Sequence, residues 1–377
     1  MKSSLFLPGF VLAMPAEGKN VTVEPAKTRR ASAVAAVLPL PLLWPQPTGT
    51  GAAMLTAYRI EDGLTTTSSL IAETAEARGP FWIDLCDPSA EERHLVEKVT
   101  GLDIPTREEM VEIESSSRVY QDGNTLFMTA TLPYAGSKST PEATAVTFAI
   151  NADQLITVRH GEPLSIELFR QRLVKDPAIG ASPAQALMTL LDVIVDRLAD
   201  LVELAAGEVD TMSTTIFHQG ISARKSGDYK NAIKKVGSTG MMIAKVHESN
   251  ATLTRLVYFL SQCAAVAGLS KEQRSQLKGL GRDLRSIREH GAAIDNKLNF
   301  LLDATVGLVN LEQNQIIKIF SVVAVVFMPP TLIASVYGMN FSDMPELRWA
   351  LGYEFSVVLM LASALVTWGF FRIKKLL

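Results

Sequence analysis

Cysteine and histidine are scarce in this sequence, which limits the kinds of site that it can build. The two cysteines, Cys86 and Cys263, form no pair at metal-ligand spacing and imply no disulfide framework, which suits a cytoplasmic domain. The five histidines are scattered along the chain. The sequence also lacks a phosphate-binding loop, a nucleophile constellation and a catalytic metal cluster. These absences argue against an enzyme.

Charge is missing from two long segments near the carboxyl terminus. Neither residues 319–341 nor residues 355–371 contain Asp, Glu, Lys or Arg. A membrane-spanning helix needs about 20 mostly apolar residues, and the second segment reaches that length if it begins near Trp349. A buried core hairpin is the alternative, but cores rarely need two such segments in succession. The sequence therefore predicts transmembrane helices over residues 319–337 and 349–371.

Basic residues flank both segments on the same side of the predicted membrane. Lys318 precedes the first span, and residues 372–377 form a basic tail with Arg372, Lys374 and Lys375. Lys and Arg beside a span stay in the cytoplasm. Both termini are therefore expected there, and residues 338–348 are expected to form the extracytoplasmic loop.

The first 53 residues contain no pattern of a folded domain. Their charged start and short apolar stretch weakly suggest a signal peptide, but Pro8 interrupts the stretch and export conflicts with the basic tail. Further prolines break the uncharged stretch that follows Arg30. We interpret residues 1–53 as a disordered or spuriously translated extension, with the folded chain beginning at Met54.

Residues 54–180 are predicted to form an α/β domain in the cytoplasm. Five short segments rich in β-branched and aromatic residues predict strands: LTAYRI, PFWIDL, TLFMTATL, ATAVTFAI and QLITVRH. Helical patterns follow Pro88 and Pro105. Such a mixture of strands and helices is typical of layered α/β architecture.

Residues 181–268 are predicted to form an antiparallel helical pair. The first helix begins at Pro183 behind Ser182, with Gln185 placed to complete a capping box. One face carries an acidic stripe of Asp192, Asp196, Asp200 and Glu203. Such a stripe is usually a solvated face, but its like charges repel and favour a basic neighbour.

A long stalk helix is predicted over residues 269–318, continuing through the membrane to Tyr337. Aliphatic residues recur at steps of three and four from Leu277 to Leu308, which defines a heptad seam. A seam of this kind can pack within its own subunit. One that enters the membrane unbroken favours a parallel stalk made by several copies.

The first span is predicted to line a pathway. Steps of three and four along it define a pore stripe without charge: Asn314, Ile317, Phe320, Ala324, Met328, Thr331 and Ser335. Bulky residues are expected to face lipid: Val322, Val325, Val326, Leu332 and Ile333. A neutral stripe argues against a proton relay but suits hydrated Mg²⁺, which sheds water reluctantly. A small-residue helix interface without conduction is the alternative. In the outer loop, Asp343 and Glu346 are placed to concentrate cations at the mouth.

The segment YGMNFSDMPELRW, together with the span before it and the basic tail after it, resembles the CorA family of divalent metal ion transporters. The resemblance implies a homopentameric funnel: an α/β/α cytoplasmic domain, a stalk helix that forms the pore, and a second span packed outside. It also implies that Asn340 selects hydrated Mg²⁺, supported by Met339 and by Gly338, which permits the turn. Ile317 and Phe320 fall where the family keeps a bulky gate.

The resemblance further implies regulation by cytoplasmic Mg²⁺ bound between subunits, for which Glu112 and Asp283 are the nearest candidates. It places a basic ring, here Arg372, Lys374 and Lys375, close to acidic helices such as those bearing Asp192, Asp196 and Asp200.

The sequence is thus interpreted as a multi-pass channel of the bacterial inner (plasma) membrane that passes Mg²⁺, with Co²⁺ and Ni²⁺ as further cargo. Its expected partners are its own copies, the lipid bilayer and divalent cations, and no nucleic acid. One alternative is a Zn²⁺ transporter of the same family, although Zn²⁺ favours His and Cys, and neither span has them. The other is a non-conducting, membrane-tethered oligomeric scaffold or sensor.

Overall fold

The computed structural model describes residues 54–61, 64–68, 81–112, 114–135, 140–218, 226–339 and 349–374. The predicted extension over residues 1–53 lies outside them. The first part of the described chain contains seven strands and four helices, in the order β1 (Met54–Glu61), β2 (Leu64–Ser68), β3 (Trp82–Cys86), α1 (Ala90–Thr100), α2 (Arg107–Val111), α3 (Ser115–Arg118), β4 (Val119–Asp122), β5 (Thr125–Ala135), β6 (Pro141–Ile150), β7 (Leu155–Arg159) and α4 (Leu164–Lys175). A 3-10 helix, Pro177–Ala181, leads into four long helices: α5 (Pro183–His218), α6 (Ser226–Gln262), α7 (Lys271–Tyr337) and α8 (Gly352–Ile373).

The strands form one mixed sheet in the order β2-β1-β3-β7-β6-β5-β4. Only β3 and β7 pair in parallel, and every other neighbouring pair is antiparallel. All five predicted strands are confirmed, as β1, β3, β5, β6 and β7. The two that were missed, β2 and β4, are short edge strands, and β4 is mostly exposed, so neither shows the apolar pattern of a buried strand.

Helices cover both faces of this sheet. On one face, Ile83 and Leu85 pack with Val96 of α1 and Met110 of α2. On the other, the indole of Trp82 meets the ring of Phe169 from α4 at a centroid distance of 5.0 Å. Helix α6 also packs on β5 and β6. The predicted α/β/α architecture is therefore confirmed.

Two side-chain contacts fix α5 and α7 as parallel neighbours. Gln273 Nε2 donates a hydrogen bond to Gln185 Oε1 across 3.1 Å, and Lys297 donates to Asp210 further along. The partners stand 25 residues apart on α5 and 24 apart on α7, so the helices advance together. The expected capping box at Gln185 forms only in part. Its backbone N–H donates to Ser182 Oγ, but its side-chain oxygen is engaged by α7.

Helix α7 runs unbroken from Lys271 to Tyr337, as predicted. Ser270 and Gln273 form a capping box that begins it. The heptad seam is buried from Leu277 to Thr305, and α7 packs there against α5 and α6 of the same chain. Over this stretch the seam packs within its own subunit, which the sequence left open, and a stalk made by several copies stays a prediction. Two helices of its own chain already cover this face.

Candidate ion pathway

The second half of α7 and the whole of α8 are long and apolar enough to cross a membrane. The 22 residues of α8 rise about 33 Å at 1.5 Å per residue, close to the ~30 Å hydrocarbon thickness of a bilayer. Trp349 precedes α8 and Trp368 lies near its end, and both indoles are exposed. Tryptophan at both ends of an apolar helix is typical of the two membrane interfaces.

One face of the membrane part of α7 packs against α8. Its less exposed positions are Val322, Val326, Pro329, Pro330, Ile333 and Tyr337. Val322 is only 7% exposed. The assignment of Val322, Val326 and Ile333 to lipid is therefore wrong, whereas Val325 and Leu332 are exposed and their assignment to lipid stays a prediction. The reason is visible in the spacing: this face continues the heptad seam, and α8 covers it where α5 and α6 no longer reach.

The predicted pore stripe lies on the opposite face of α7. All seven of its members are exposed, with Ile317 at 62%, Phe320 at 71% and Met328 at 65%. Successive residues of an α-helix are turned by about 100°, so the centre of the stripe is about 180° from the face on α8. The packing of α8 therefore leaves this neutral line of side chains uncovered along the whole membrane part of α7.

The stripe is polar at its ends and apolar in its middle. Asn314 lies at its amino-terminal end, and Thr331 and Ser335 lie towards its carboxyl-terminal end. The hydroxyl of Thr331 donates a hydrogen bond to the backbone oxygen of Phe327 in its own helix at 2.7 Å. Because its proton is used in this way, the lone pairs of the Thr331 oxygen point outward as acceptors, suited to water bound around a cation.

Helix α7 ends at Gly338, whose backbone N–H donates to the oxygen of Ala334 at 2.9 Å. Gly338 has φ −83° and ψ −1°, a right-handed conformation, but a Cβ there would lie 3.0 Å from the backbone oxygen of Ala334. This close approach favours glycine at position 338, and the expectation that Gly338 permits the turn stays a prediction. Met339 follows and is 47% exposed. Asn340, Asp343 and Glu346 lie outside the described residues.

The exposed line also extends towards the amino-terminal end of α7, beyond the predicted stripe. Asn310 and Asp303 are exposed at positions four and eleven residues before Asn314. Both fit the same three-and-four spacing, so extending the stripe inward would have found them. Asp303 places a carboxylate on this face outside the apolar segment.

The candidate regulatory residues lie on different elements. Glu112 lines a pocket of about 250 Å³ that it shares with Asp103 and Glu109, and Asp283 is exposed on α7. The Glu109 carboxylate accepts hydrogen bonds from the backbone and hydroxyl of Thr106, which lower its pKa. Among the described residues, no three His, Cys, Asp or Glu side chains converge as a metal site.

The acidic stripe of α5 has its basic neighbour in α4. The guanidinium of Arg172 lies 3.8 Å from Asp192 and 3.4 Å from Asp196, while Asp200 lies 3.8 Å from Arg197. Gln185 of α5 lies beside Gln273 of α7, and Asp192 is seven residues further along α5. Measured along the parallel helix α7, the level of Asp192 is on the order of 60 Å from Lys318. The expectation that this stripe meets the basic ring is therefore wrong.

The predicted basic ring is described only in part. Arg372 places its guanidinium over the indole of Trp368, 5.1 Å from the ring centroid. Lys374 directly follows α8. Lys375 lies outside the described residues.

Known proteins are similar to this chain in sequence and in fold. The family described as "CorA-like Mg2+ transporter protein" matches residues 78–375. The "Magnesium transport protein CorA" of Sodalis glossinidius (strain morsitans) is 34% identical over 328 residues, covering 85% of this chain and 99% of that protein.

Solved structures agree in fold. The complete CorA magnesium transporter from Methanocaldococcus jannaschii superposes with a TM-score of 0.64 at 18% identity, covering 86% of this chain and 98% of that one. The ZntB cytoplasmic domain from Vibrio parahaemolyticus gives 0.52 at 12% identity, covering 68% of this chain and 98% of that domain. The extent of the family match and the identity to a full-length relative show that this chain belongs to the CorA-like Mg²⁺ transporter family.

Proposed function

We propose that this chain forms a channel for passive influx of hydrated Mg²⁺, driven by the membrane potential, with Asn340 at its outer mouth. The observation that carries the proposal is the neutral stripe from Asn314 to Ser335, which stays exposed on the side of α7 opposite α8. Membership of a family of transporters rather than enzymes supports it.

The chemistry of the stripe suits a cation that keeps its water. Mg²⁺ demands near-ideal octahedral oxygen coordination and dehydrates reluctantly. Amide and hydroxyl oxygens can accept hydrogen bonds from its hydration shell without holding the ion as a fixed carboxylate would. Ile317, Phe320 and Met328 then form apolar constrictions, and the path closes when water leaves them.

One helix cannot enclose a path, so the channel requires several copies around an axis. We propose a homopentamer in the bacterial inner membrane with both termini in the cytoplasm. Its parts are the α/β domain (54–180), helical pair (181–268), stalk (269–318), pore span (319–337), outer loop (338–348), second span (349–371) and basic tail (372–377). The extension over residues 1–53 stands outside this scheme.

Several site residues complete the proposal. Gly338 and Met339 support Asn340, and Asp343 and Glu346 gather cations at the mouth. Cytoplasmic Mg²⁺ acts as regulator as well as cargo, with Glu112 and Asp283 as candidate ligands. The basic ring is formed by Arg372, Lys374 and Lys375.

The selectivity claim is tested by Mg²⁺ flux into liposomes that contain the purified full-length chain. Asn340→Ala is expected to abolish uptake while the assembled size on gel filtration is unchanged. Asn124→Ala, in an exposed turn of the cytoplasmic domain, is the matched control and should transport normally. Unchanged uptake by Asn340→Ala would contradict the selectivity role, and no uptake by the unaltered chain would favour a scaffold.

A further inference from the structure

The first turns of α6 lie at the level where α7 enters the membrane. A groove of about 400 Å³ separates the two helices, lined by Tyr229, Lys230, Ile233 and Lys234 of α6 and by Val309, Glu312, Gln313 and Ile316 of α7. Ile316 stands three residues before the uncharged segment that begins at Ile319. Because α6 runs antiparallel to α7, its amino-terminal end points towards the bilayer surface.

This end of α6 carries a lysine cluster, which we define as Lys230, Lys234 and Lys235. All three side chains are exposed. Within the part of the chain that the structure describes, no carboxylate lies within 4.0 Å of their amines. Among the described residues that line the groove, Glu312 of α7 is the one carboxylate. The cluster therefore keeps an excess of positive charge.

Two other lysines of the helical region have carboxylate partners. Lys245, further along α6, lies 3.0 Å from Glu248, and Lys297 of α7 contacts Asp210. Like charges at positions i and i+4, such as Lys230 and Lys234, destabilise a helix slightly. The clustering of unpaired lysines at the membrane level thus leaves a positively charged patch open to an anion from outside the described chain.

We propose that the lysine cluster binds the phosphate groups of anionic phospholipids in the cytoplasmic leaflet. The groove offers both chemistries that a lipid needs. Ile233 and Ile316 are 41% and 46% exposed and present apolar surface, while the lysine amines reach towards the headgroup region. Each basic residue near an anionic membrane surface strengthens binding by about fivefold. The inference rests on the proposed position of α7 in the membrane and is independent of conduction.

The test follows thermal unfolding of the purified full-length chain in detergent micelles containing increasing fractions of phosphatidylglycerol or phosphatidylcholine. Four proteins are compared. They are the unaltered chain, the triple variant Lys230→Gln, Lys234→Gln, Lys235→Gln, its Lys→Arg counterpart, and a control with Lys98→Gln, Lys271→Gln and Lys278→Gln. The control removes the same charge from exposed lysines distant from the predicted membrane surface.

Phosphatidylglycerol is expected to raise the melting temperature of the unaltered chain and the control. The triple variant should need at least about tenfold more of this lipid for half the effect, and phosphatidylcholine should have little effect on any of them. A matching triple Lys→Arg variant should respond like the unaltered chain, which separates charge from side-chain packing.

Three results would overturn the proposal. The first is that the triple Gln variant responds to phosphatidylglycerol as the unaltered chain does. The second is that glycerol 3-phosphate in solution gives the same stabilisation as the lipid. The third is a change of the variant's assembled size in neutral detergent, which would assign the lysines to a contact with another copy. None of these readouts depends on Mg²⁺ flux. Failure of the lipid-binding proposal is therefore distinguishable from failure of the proposed function.

Discussion

The imidazole of His247 occupies the space that a side chain at Gly291 would need. An ideal Cβ at position 291 would lie 2.8 Å from His247 Cε1. The same imidazole is held by Asp295, whose Oδ2 lies 3.1 Å from His247 Nε2. This contact brings α6 and α7 together at a position where the heptad seam has no side chain.

Gly291→Ala should therefore destabilise the protein. Alanine favours a helix interior over glycine by about 1 kcal/mol, but the collision with His247 forces the two helices or the imidazole to move, at about 1–3 kcal/mol. Chemical denaturation of the purified chain should show a net loss of stability, and His247→Ala in the same chain should restore part of it.

Gly279→Ala is the control for this prediction. It lies on the same helix, and a Cβ there would have nothing within 4 Å. This variant should be neutral or more stable by up to about 1 kcal/mol. Equal effects of the two alanines would contradict the role given to His247.

A buried ion pair holds the parallel strands of the sheet together. Arg159 of β7 donates to both carboxylate oxygens of Asp84 on β3, and both side chains are at most 3% exposed. Burial by itself would lower the pKa of Arg159, but the Asp84 carboxylate outweighs it and raises the pKa. Asp84→Asn or Arg159→Met should cost about 3–5 kcal/mol of unfolding free energy, because each leaves the partner charge buried and unpaired.

The double variant Asp84→Asn with Arg159→Met measures what the pair itself contributes. Because neither charge then remains buried alone, it should be less destabilised than either single change. Additive losses in urea denaturation would show that the two residues act independently.

The two cysteines should differ in reactivity. Burial in the sheet raises the pKa of the Cys86 thiol to about 11, and its side chain is 8% exposed. The thiolate is the nucleophile, so Cys86 should resist maleimide in the native chain at neutral pH. Cys263 is partly exposed after α6 and should be labelled. Mass spectrometry before and after unfolding checks this, and native labelling of Cys86 would contradict the packing of β3.

Residues whose environment is set by their own helix were predictable from the sequence. Local spacing along a single helix predicts the limits of α7, its buried positions from Leu277 to Thr305 and its exposed stripe. The five apolar strands were predictable from their local content of β-branched and aromatic residues.

What covers each face was not predictable, because it depends on distant segments. The seam from Leu277 has the same spacing whether its partner is another copy or α5 and α6. Val322 has the same side chain whether it faces lipid or α8. Likewise, nothing near Gln185 indicates that its side chain binds Gln273, and nothing near Asp192 indicates its contact with Arg172.

The most direct test of the account asks which face of α7 borders the Mg²⁺ path. Thr331→Cys and Val322→Cys are introduced separately into a chain with Cys86→Ala and Cys263→Ala, and Mg²⁺ flux into liposomes is measured before and after treatment with a charged methanethiosulfonate. Thr331 lies on the exposed stripe, whereas Val322 is 7% exposed on the face against α8. The account predicts that the reagent blocks flux through the Thr331→Cys protein and leaves the Val322→Cys protein unaffected. Block at Val322→Cys with no effect at Thr331→Cys would contradict it.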